Sequence, residues 1–289
     1  MKYAIRVNNL SKHYKDFTLS DVSFELECGA VMGFIGRNGA GKTTTIKLIM
    51  GLIHKDSGSI RIMGEEAGAD NYKIRDKIGF VYDEPGFYTG MTVKAVEKVT
   101  APYYQKWDKD RFYSLIRKFG LDPDKKTGTL SHGEKTRLSL AIALSHNAEL
   151  LIMDEPTSGL DPVIRSEFID ILYEIIQDER RSILFSTHIT TDLERIADYI
   201  TLIENGKIII SEPKDALLDK YRIVKGPLER LNNNGREMCI GYRETQTGFE
   251  ALSSLPEDLA KLVGENAVVE KAKLEDLMVY SVKGVENGR

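Results

Sequence analysis

Short apolar runs rich in β-branched residues alternate with segments of helical periodicity along most of the chain. This alternation predicts an α/β fold in which parallel strands are joined by crossover helices. Leu150–Met153 is apolar throughout, as expected for a central strand that is covered on both faces. The predicted strands are Ala30–Ile35, Gly58–Ile62, Ile78–Tyr82, Leu150–Met153 and Ser182–Ser186, and the predicted helices are Lys42–Met50, Val163–Ile176 and Asp192–Ile196.

Two stretches depart from this alternation. Strand signals vanish between about residues 84 and 148, which predicts a helical subdomain inserted into the sheet. After residue 221 a turn-rich cluster begins a small α+β domain, so we expect a large α/β domain over 1–221 and an accessory domain over 222–289. In the accessory domain, Glu237–Tyr242 and Val279–Val282 are predicted strands on either side of a helix at Leu255–Val263.

The helical stretch is rich in aromatic residues. We expect most of them to pack within the subdomain, and the alternative for those near Tyr88 is a groove in which a partner protein docks. They are Phe87, Tyr88, Tyr103, Tyr104, Trp107, Phe112 and Tyr113.

Composition excludes several classes of protein. The chain has 289 residues, of which 42% are hydrophobic and 29% charged, so it has enough apolar residues for a core without disulfide or metal staples. Its net charge of −4 lacks the positive excess that is typical of nucleic-acid-binding proteins, so no nucleic-acid partner is expected. Cys28 and Cys239 form no metal-ligand or disulfide pattern, which fits a reducing cytoplasm. No segment has the pattern of a signal peptide or a membrane span, so any membrane role would be supplied by a partner.

Residues 36–43 match the phosphate-loop pattern GxxxxGK[ST], between a predicted strand and a predicted helix. In this context the glycines let backbone N–H groups curl around a phosphate, and the helix N-terminus favours negative charge. Lys42 would neutralise the β- and γ-phosphate oxygens, and Thr43 would bind Mg²⁺. The alternative is a glycine-rich turn that happens to precede a helix. The candidate ATP-binding residues are Gly36, Asn38, Gly39, Ala40, Gly41, Lys42, Thr43 and Thr44.

Two carboxylates, Asp154 and Glu155, end the buried strand that begins at Leu150. Open α/β sheets bind their ligands at this end of the strands. Asp154 is a candidate Mg²⁺ ligand, and Glu155 is a candidate general base for an attacking water. Two acids at a strand end are by themselves more typical of a helix cap, so this assignment depends on the phosphate loop.

Together these motifs resemble the ATP-binding-cassette ATPases over residues 3 to about 215. Residues 130–134, Leu-Ser-His-Gly-Glu, are similar to the signature loop of that family, and residues 158–161, Ser-Gly-Leu-Asp, are similar to its D-loop. The resemblance implies that His188 contacts the γ-phosphate and that Tyr14 stacks on adenine. It also implies a head-to-tail dimer, with an identical or a related chain, in which Ser131, Gly133 and Asp161 of one subunit complete the ATP site of the other.

The residues themselves leave simpler interpretations open. Ser131 and Gly133 precede a predicted helix and offer a second anion site, but the same residues are typical of ordinary helix capping. A lone histidine such as His188 and a lone Tyr14 are equally typical of core packing.

Two positions depart from the family pattern. His132 stands where a glycine is usual, which adds bulk beside the expected γ-phosphate and predicts slower or pH-sensitive hydrolysis. Asp83 stands where the family has a glutamine that touches Mg²⁺ and the lytic water, so it is a third candidate metal ligand. A carboxylate and an amide bind a metal differently.

The layout of one cassette with a C-terminal extension is similar to the ATPase subunits of bacterial exporters of the bacitracin-resistance and phenol-soluble-modulin type. It implies a separate permease subunit, a place on the cytoplasmic face of the membrane, and coupling through a groove near residues 83–104. The alternative is a soluble cassette ATPase in cluster assembly or on DNA or ribosomes. Coiled coils or a second cassette would favour the DNA or ribosome relatives, and neither appears in the sequence. A binding module that does not hydrolyse ATP is disfavoured because Glu155 and His188 are both present.

Overall fold

A computed structural model describes residues 2–68, 71–83, 86–178 and 180–286. The chain begins with a four-stranded antiparallel sheet that covers one side of the molecule. In spatial order its strands are β2 (Thr18–Glu27), β1 (Tyr3–His13), β4 (Ser57–Ile62) and β5 (Glu65–Glu66). Alternation of buried and exposed residues along β2 shows that this sheet has one buried face and one solvated face.

A six-stranded mixed sheet forms the centre of the molecule. All neighbouring strands in it are parallel except the last pair, β9 and β10, which form an antiparallel hairpin. In spatial order the strands are β10 (Lys207–Pro213), β9 (Tyr199–Glu204), β3 (Val31–Ile35), β8 (Ser182–Thr187), β7 (Leu150–Asp154) and β6 (Ile78–Val81). The predicted α/β class is confirmed.

Two crossover helices connect consecutive central strands: α6 (Pro162–Ile176) joins β7 to β8, and α7 (Thr190–Ile196) joins β8 to β9. Helices α1 (Lys42–Ile49) and α2 (Tyr72–Arg75) lie on the connections between the central and the N-terminal sheet, and α8 (Lys214–Lys220) follows β10 and leads to the C-terminal part. The central sheet separates two apolar cores because successive side chains of a strand point to opposite faces. Leu150 and Ile152 belong to the core shared with the N-terminal sheet and α1, whereas Leu151 and Met153 belong to the core under the other helices.

Between β6 and β7 the described part of the chain is helical apart from one isolated bridge. The helices are α3 (Val93–Thr100), α4 (Lys109–Lys118) and α5 (His132–Ser145), with short 3₁₀ turns at Ala101–Tyr103 and Thr127–Thr129. The first two positions of the predicted helical segment, 84 and 85, lie outside the described residues. Phe112 is fully buried and contacts Trp107 and Tyr113, so these aromatics pack within the subdomain, whereas Tyr88 and Tyr103 are largely exposed.

The C-terminal part forms a four-stranded antiparallel sheet of its own, with strand order β12, β13, β11, β14. Its elements are β11 (Arg222–Gly226), α9 (Asn233–Glu237), β12 (Cys239–Thr245), β13 (Gly248–Ser253), α10 (Pro256–Val263), β14 (Val268–Lys271) and α11 (Leu274–Glu286). The predicted strand at Val279–Val282 is wrong, because these residues lie within α11. Leu274, Leu277 and Tyr280 recur at helical spacing and are buried in the same core as α7, so the longer apolar pattern decides the local structure.

The described residues contain no helix that is both long and apolar enough to cross a bilayer.

The contact between β6 and α5 requires a glycine. A Cβ at Gly79 would lie 2.6 Å from the Cβ of Ala143 and 2.7 Å from Cδ2 of Leu151. We expect Gly79→Ala to lower the free energy of unfolding by about 1–3 kcal/mol, the usual cost of overpacking, as measured by urea denaturation. The control is Gly90→Ala, where the added Cβ meets nothing within 4 Å. Equal stability of the two variants would contradict this prediction.

Candidate functional site

The phosphate loop connects the end of β3 to the start of α1, and glycines set its shape. Gly39 and Gly41 have φ values of +82° and +114°, a backbone conformation that residues with a Cβ atom rarely adopt. A Cβ at Gly36 would lie 2.4 Å from the carbonyl oxygen of Ile203, so the loop passes close to the neighbouring strand β9. The loop therefore ends with the free N–H groups of α1 directed at the space where a phosphate would bind.

Lys42 is held over this loop. Its ammonium donates to the carbonyl oxygens of Gly36 at 2.8 Å and Arg37 at 3.2 Å, and lies 3.0 Å from Oε1 of Glu155. The side chain is buried, so its charge is compensated by carbonyl dipoles and one carboxylate rather than by bulk water. A phosphate oxygen entering the loop would compete with that carboxylate for the ammonium.

Asp154 is the last residue of β7 and is buried beside the phosphate loop. Burial raises the pKa of its carboxyl above the ordinary value of 3.8, and a hydrogen bond from the Thr43 hydroxyl offsets part of that increase. Its Oδ1 is buried without a hydrogen-bond partner in the described structure. Such an oxygen is suited to accept a cation.

Glu155 follows directly and turns the chain away from the strand. It adopts a left-handed conformation with φ of +49°, which costs backbone energy in a non-glycine residue and is typical of functional sites. Its backbone N–H donates to the carbonyl oxygen of Ser186 on β8, which fixes the turn against the neighbouring strand.

His188 meets Glu155 at the ends of these two strands. The Nδ1 of His188 lies 2.8 Å from Oε2 of Glu155, and the backbone N–H of His188 donates to the same oxygen at 3.3 Å. The structure therefore brings together the two residues predicted as catalytic, although they are far apart in the sequence.

A cavity of about 630 Å³ opens over the loop and these carboxylates. Most of the predicted ATP-site residues line it: Asn38, Gly39, Gly41, Lys42, Thr43, Thr44, Asp83, Glu155 and His188. Gly36 and Ala40 belong to the same loop and Asp154 ends β7, but these three predicted residues are not among those that line the cavity. The lining also includes Asp16 and Phe17, which the sequence analysis missed, and Arg37 and Ser158, which it placed in the phosphate loop and the D-loop without giving them a role.

The aromatic residue at the mouth of the cavity is Phe17. Its Cζ lies 3.0 Å from the position that a Cβ of Gly41 would occupy. Tyr14 is absent from the described lining, is 47% exposed, and has the Lys12 ammonium 5.8 Å from its ring centre. Its stacking on adenine stays a prediction. Spacing from the phosphate loop points to the turn between β1 and β2, which carries both Tyr14 and Phe17. The folding of this turn then determines which of the two rings faces the loop.

Ser131, Gly133 and Asp161 lie outside this cavity. Ser131 caps α5 in a capping box with Glu134, and Asp161 caps α6 by accepting from two backbone N–H groups. A Cβ at Gly133 would lie 3.0 Å from Cγ2 of Ile164, so the start of α5 sits close against α6. Ser131 therefore has the capping role that was its simpler interpretation, and none of the three residues lines the described cavity over the phosphate loop.

The chemistry of the site suits Mg²⁺. The described residues contain no cluster of three or more His, Cys, Asp and Glu of the kind that builds an all-protein metal cage. Mg²⁺ is instead usually bound through one or two carboxylates together with substrate phosphates and water. The Asp154 carboxylate and the adjacent Thr43 hydroxyl, with Asp83 exposed at the cavity rim, fit that pattern.

Comparisons with known proteins agree with this geometry. Residues 19–158 match the family model described as ABC transporter. The chain is 34% identical to the bacitracin transport ATP-binding protein of Bacillus licheniformis, over 77% of this chain and 74% of that protein. It is 36% identical to a lantibiotic transport ATP-binding protein of Streptococcus pyogenes, over 73% of this chain and 91% of that protein. Among solved structures, cbiO1 of Clostridium perfringens, part of an ABC transporter complex, superposes with a TM-score of 0.65 and 26% identity, covering 76% of this chain and 92% of that chain.

Removing the Lys42 ammonium tests the phosphate loop. We expect Lys42→Ala to weaken ATP binding by about 10- to 100-fold, because a hydrogen bond to a charged group contributes about 1.5–3 kcal/mol. The measurement is the Kd of a fluorescent ATP analogue. Lys47→Ala, on the exposed side of the same helix, is the control and should bind as the parent does. Unchanged affinity in Lys42→Ala would overturn the assignment.

His132 occupies the first position of α5, and its Nε2 is buried without a hydrogen-bond partner in the described structure. If the ring only crowds the adjacent site, His132→Gly should hydrolyse ATP at the parental rate or faster. His132→Ala is the companion variant, because glycine also weakens the helix. A collapse of steady-state turnover in both variants would show instead that the imidazole takes part in the reaction.

Proposed function

The chain belongs to the family of ABC transporter ATP-binding subunits, and from this premise we propose that it powers an exporter whose membrane-spanning permease is a separate chain. Its own activity is ATP hydrolysis. The observation that carries the proposal is the convergence of Lys42, Glu155 and His188 around one cavity at the ends of the parallel strands.

The substrate class follows from the relatives. Their names assign bacitracin transport and lantibiotic transport to them. We propose that the cargo here is a peptide, an antibiotic or a lipid that the permease recognises. The soluble cassette alternative is not favoured, since these relatives are transport subunits.

Different residues of the cavity have different roles in ATP hydrolysis. The loop N–H groups and Lys42 bind the β- and γ-phosphates, while Thr43 and Asp154, with Asp83 at the rim, would hold Mg²⁺. When bound, the ion neutralises phosphate charge. Glu155 accepts the proton of the attacking water, a role that contributes about 10²- to 10⁴-fold in rate. His188 holds the Glu155 carboxylate through its Nδ1 and leaves its other ring nitrogen for the γ-phosphate.

A second subunit completes the site in this proposal. Ser131, Gly133 and Asp161 lie away from the cavity of their own chain, and Ser131 stands at the positive end of the 14-residue helix α5. In a head-to-tail dimer with an identical or a related chain, this end of α5 would face the γ-phosphate held by the opposing loop. Two ATP molecules would then be enclosed between the subunits.

The permease would bind the exposed tyrosines between residues 82 and 103. Tyr82, Tyr88 and Tyr103 are 43%, 78% and 81% exposed, and amphipathic aromatics of this kind are enriched at protein interfaces. Closure of the dimer does transport work only if it favours one conformation of the permease. Cys28 and Cys239 stand far apart in the sequence and outside any disulfide or metal-ligand pattern, which fits a reducing compartment and a location on the cytoplasmic face of the membrane.

Glu155→Gln tests the hydrolytic role. The variant keeps the shape of the side chain but removes the base, so we expect ATP binding to persist, turnover to fall by about 10²- to 10⁴-fold, and an ATP-dependent dimer to accumulate. Steady-state turnover and light scattering measure the two effects. Stimulation of the parent's turnover by a membrane protein encoded beside it and reconstituted in lipid would support export, whereas parental turnover in Glu155→Gln would remove Glu155 from the base role.

A further inference from the structure

A second buried carboxylate, Asp192, lies behind the site on α7. It is 4% exposed and does not line the cavity that contains Lys42. The hydrolytic roles given to Glu155 and His188 make no use of it. An ionised side chain this deeply buried is costly unless its partners compensate it, so its contacts indicate what it stabilises.

Both oxygens of Asp192 are fully engaged. The Thr157 hydroxyl donates to Oδ2 at 2.6 Å, and Nε of Arg165 donates to Oδ1 at 2.6 Å. The same guanidinium donates through Nη2 to the hydroxyl of Thr191 at 2.7 Å. Thr157 and Asp192 are both buried, so water has little access to the hydrogen bond between them.

These contacts join the two segments that carry the hydrolytic residues. Thr157 and Arg165 belong to the segment that leaves β7 through Glu155, whereas Asp192 belongs to the segment that leaves β8 through His188. The segments are therefore linked at the cavity, through Glu155 and His188, and by a second link behind it, through Asp192. Together these two links restrict the distance between the segments and their relative rotation.

The start of α7 depends on this second link. Ile189 precedes the helix and provides no side-chain cap, so the carboxylate in the first turn is what ties this end of α7 to the loop after β7. A shift of α7 would move the adjacent His188 away from Glu155. Small displacements of reacting groups are expensive, since about 1 Å of misplacement costs on the order of 100-fold in rate.

We propose that Asp192 is a positioning residue for ATP hydrolysis: through Thr157 and Arg165 it holds the segment of Glu155 and the segment of His188 in register. This inference rests on the proposed roles of Glu155 and His188. Asp192 does not touch the nucleotide, so it acts on turnover and leaves nucleotide binding by the phosphate loop unchanged.

The chain offers a matched control. Asp170 and Arg195 form an ion pair of 2.7 Å between the same helices, α6 and α7, but at the surface and away from the loop of Thr157. Asp170→Asn therefore removes a tie between the helices without disturbing the second link. If the contacts between α6 and α7 only stabilised the fold, loss of either contact would affect kcat to a similar degree.

The experiment compares Thr157→Val, Thr157→Ser and Asp170→Asn in the full chain, by kcat, by the Kd of a fluorescent ATP analogue and by Tm. Valine keeps the volume and loses the hydroxyl, so we expect kcat to fall by about tenfold or more, while the Kd stays within about twofold. Serine keeps the hydroxyl and should restore turnover. Asp170→Asn should have the kcat of the parent.

Parental kcat in Thr157→Val would overturn the proposal, and so would a fall in kcat that simply follows the loss of Tm in all three variants. If Thr157→Val does not fold, Asp192→Asn, which keeps the shape and removes the charge, is measured in its place with the same expectations. In a double-mutant cycle with His188→Ala, the effect of Thr157→Val should largely disappear, and full additivity would contradict action through His188. Failure of the proposed hydrolytic site is separate: it appears as undiminished turnover in Glu155→Gln, whatever the Thr157 variants do.

Discussion

The parallel pairing of β3, β8 and β7 is the constraint on which the site depends. In this register Ile35 pairs with Thr187, and Asp154 pairs with Ser186, so three strands end at the same level of the sheet. Each strand then releases its loop on the same edge, which is where open α/β sheets bind ligands. The phosphate loop, the two carboxylates and His188 meet there because backbone hydrogen bonds, rather than side chains, set the alignment.

Burying charged side chains at that edge costs desolvation free energy, and the structure compensates most of these charges by pairing them with opposite charges. Lys42 and Glu155 are both buried and lie 3.0 Å apart, and Glu155 also contacts His188. Asp154 is less well compensated, which is why burial raises its pKa. A site of this kind destabilises the unliganded protein locally, and a nucleotide with its metal ion would relieve that strain.

The C-terminal part is connected to the site through packing. Helix α11 contributes Leu277 and Tyr280 to the core that also contains Leu193 and Ile196 of α7. Since α7 follows His188 and carries Asp192, one side of this helix packs in the same core as α11 and the other side bonds to Thr157 in the loop after β7. The apolar contacts fix where α7 lies, and the Asp192 contacts fix its register against the loop after β7.

The fold class, the phosphate loop and the acidic pair are predictable from sequence, because each depends on residues adjacent in the chain and on local periodicity. A family resemblance adds His188 to the candidate site. The folded chain alone shows that Glu155 and His188 touch, that Phe17 rather than Tyr14 lines the described cavity, and that Asp192 bonds to Thr157. The predicted strand at Val279–Val282 became part of a helix for the same reason. Such outcomes depend on contacts between residues distant in sequence, and long-range packing overrides a short β-branched pattern.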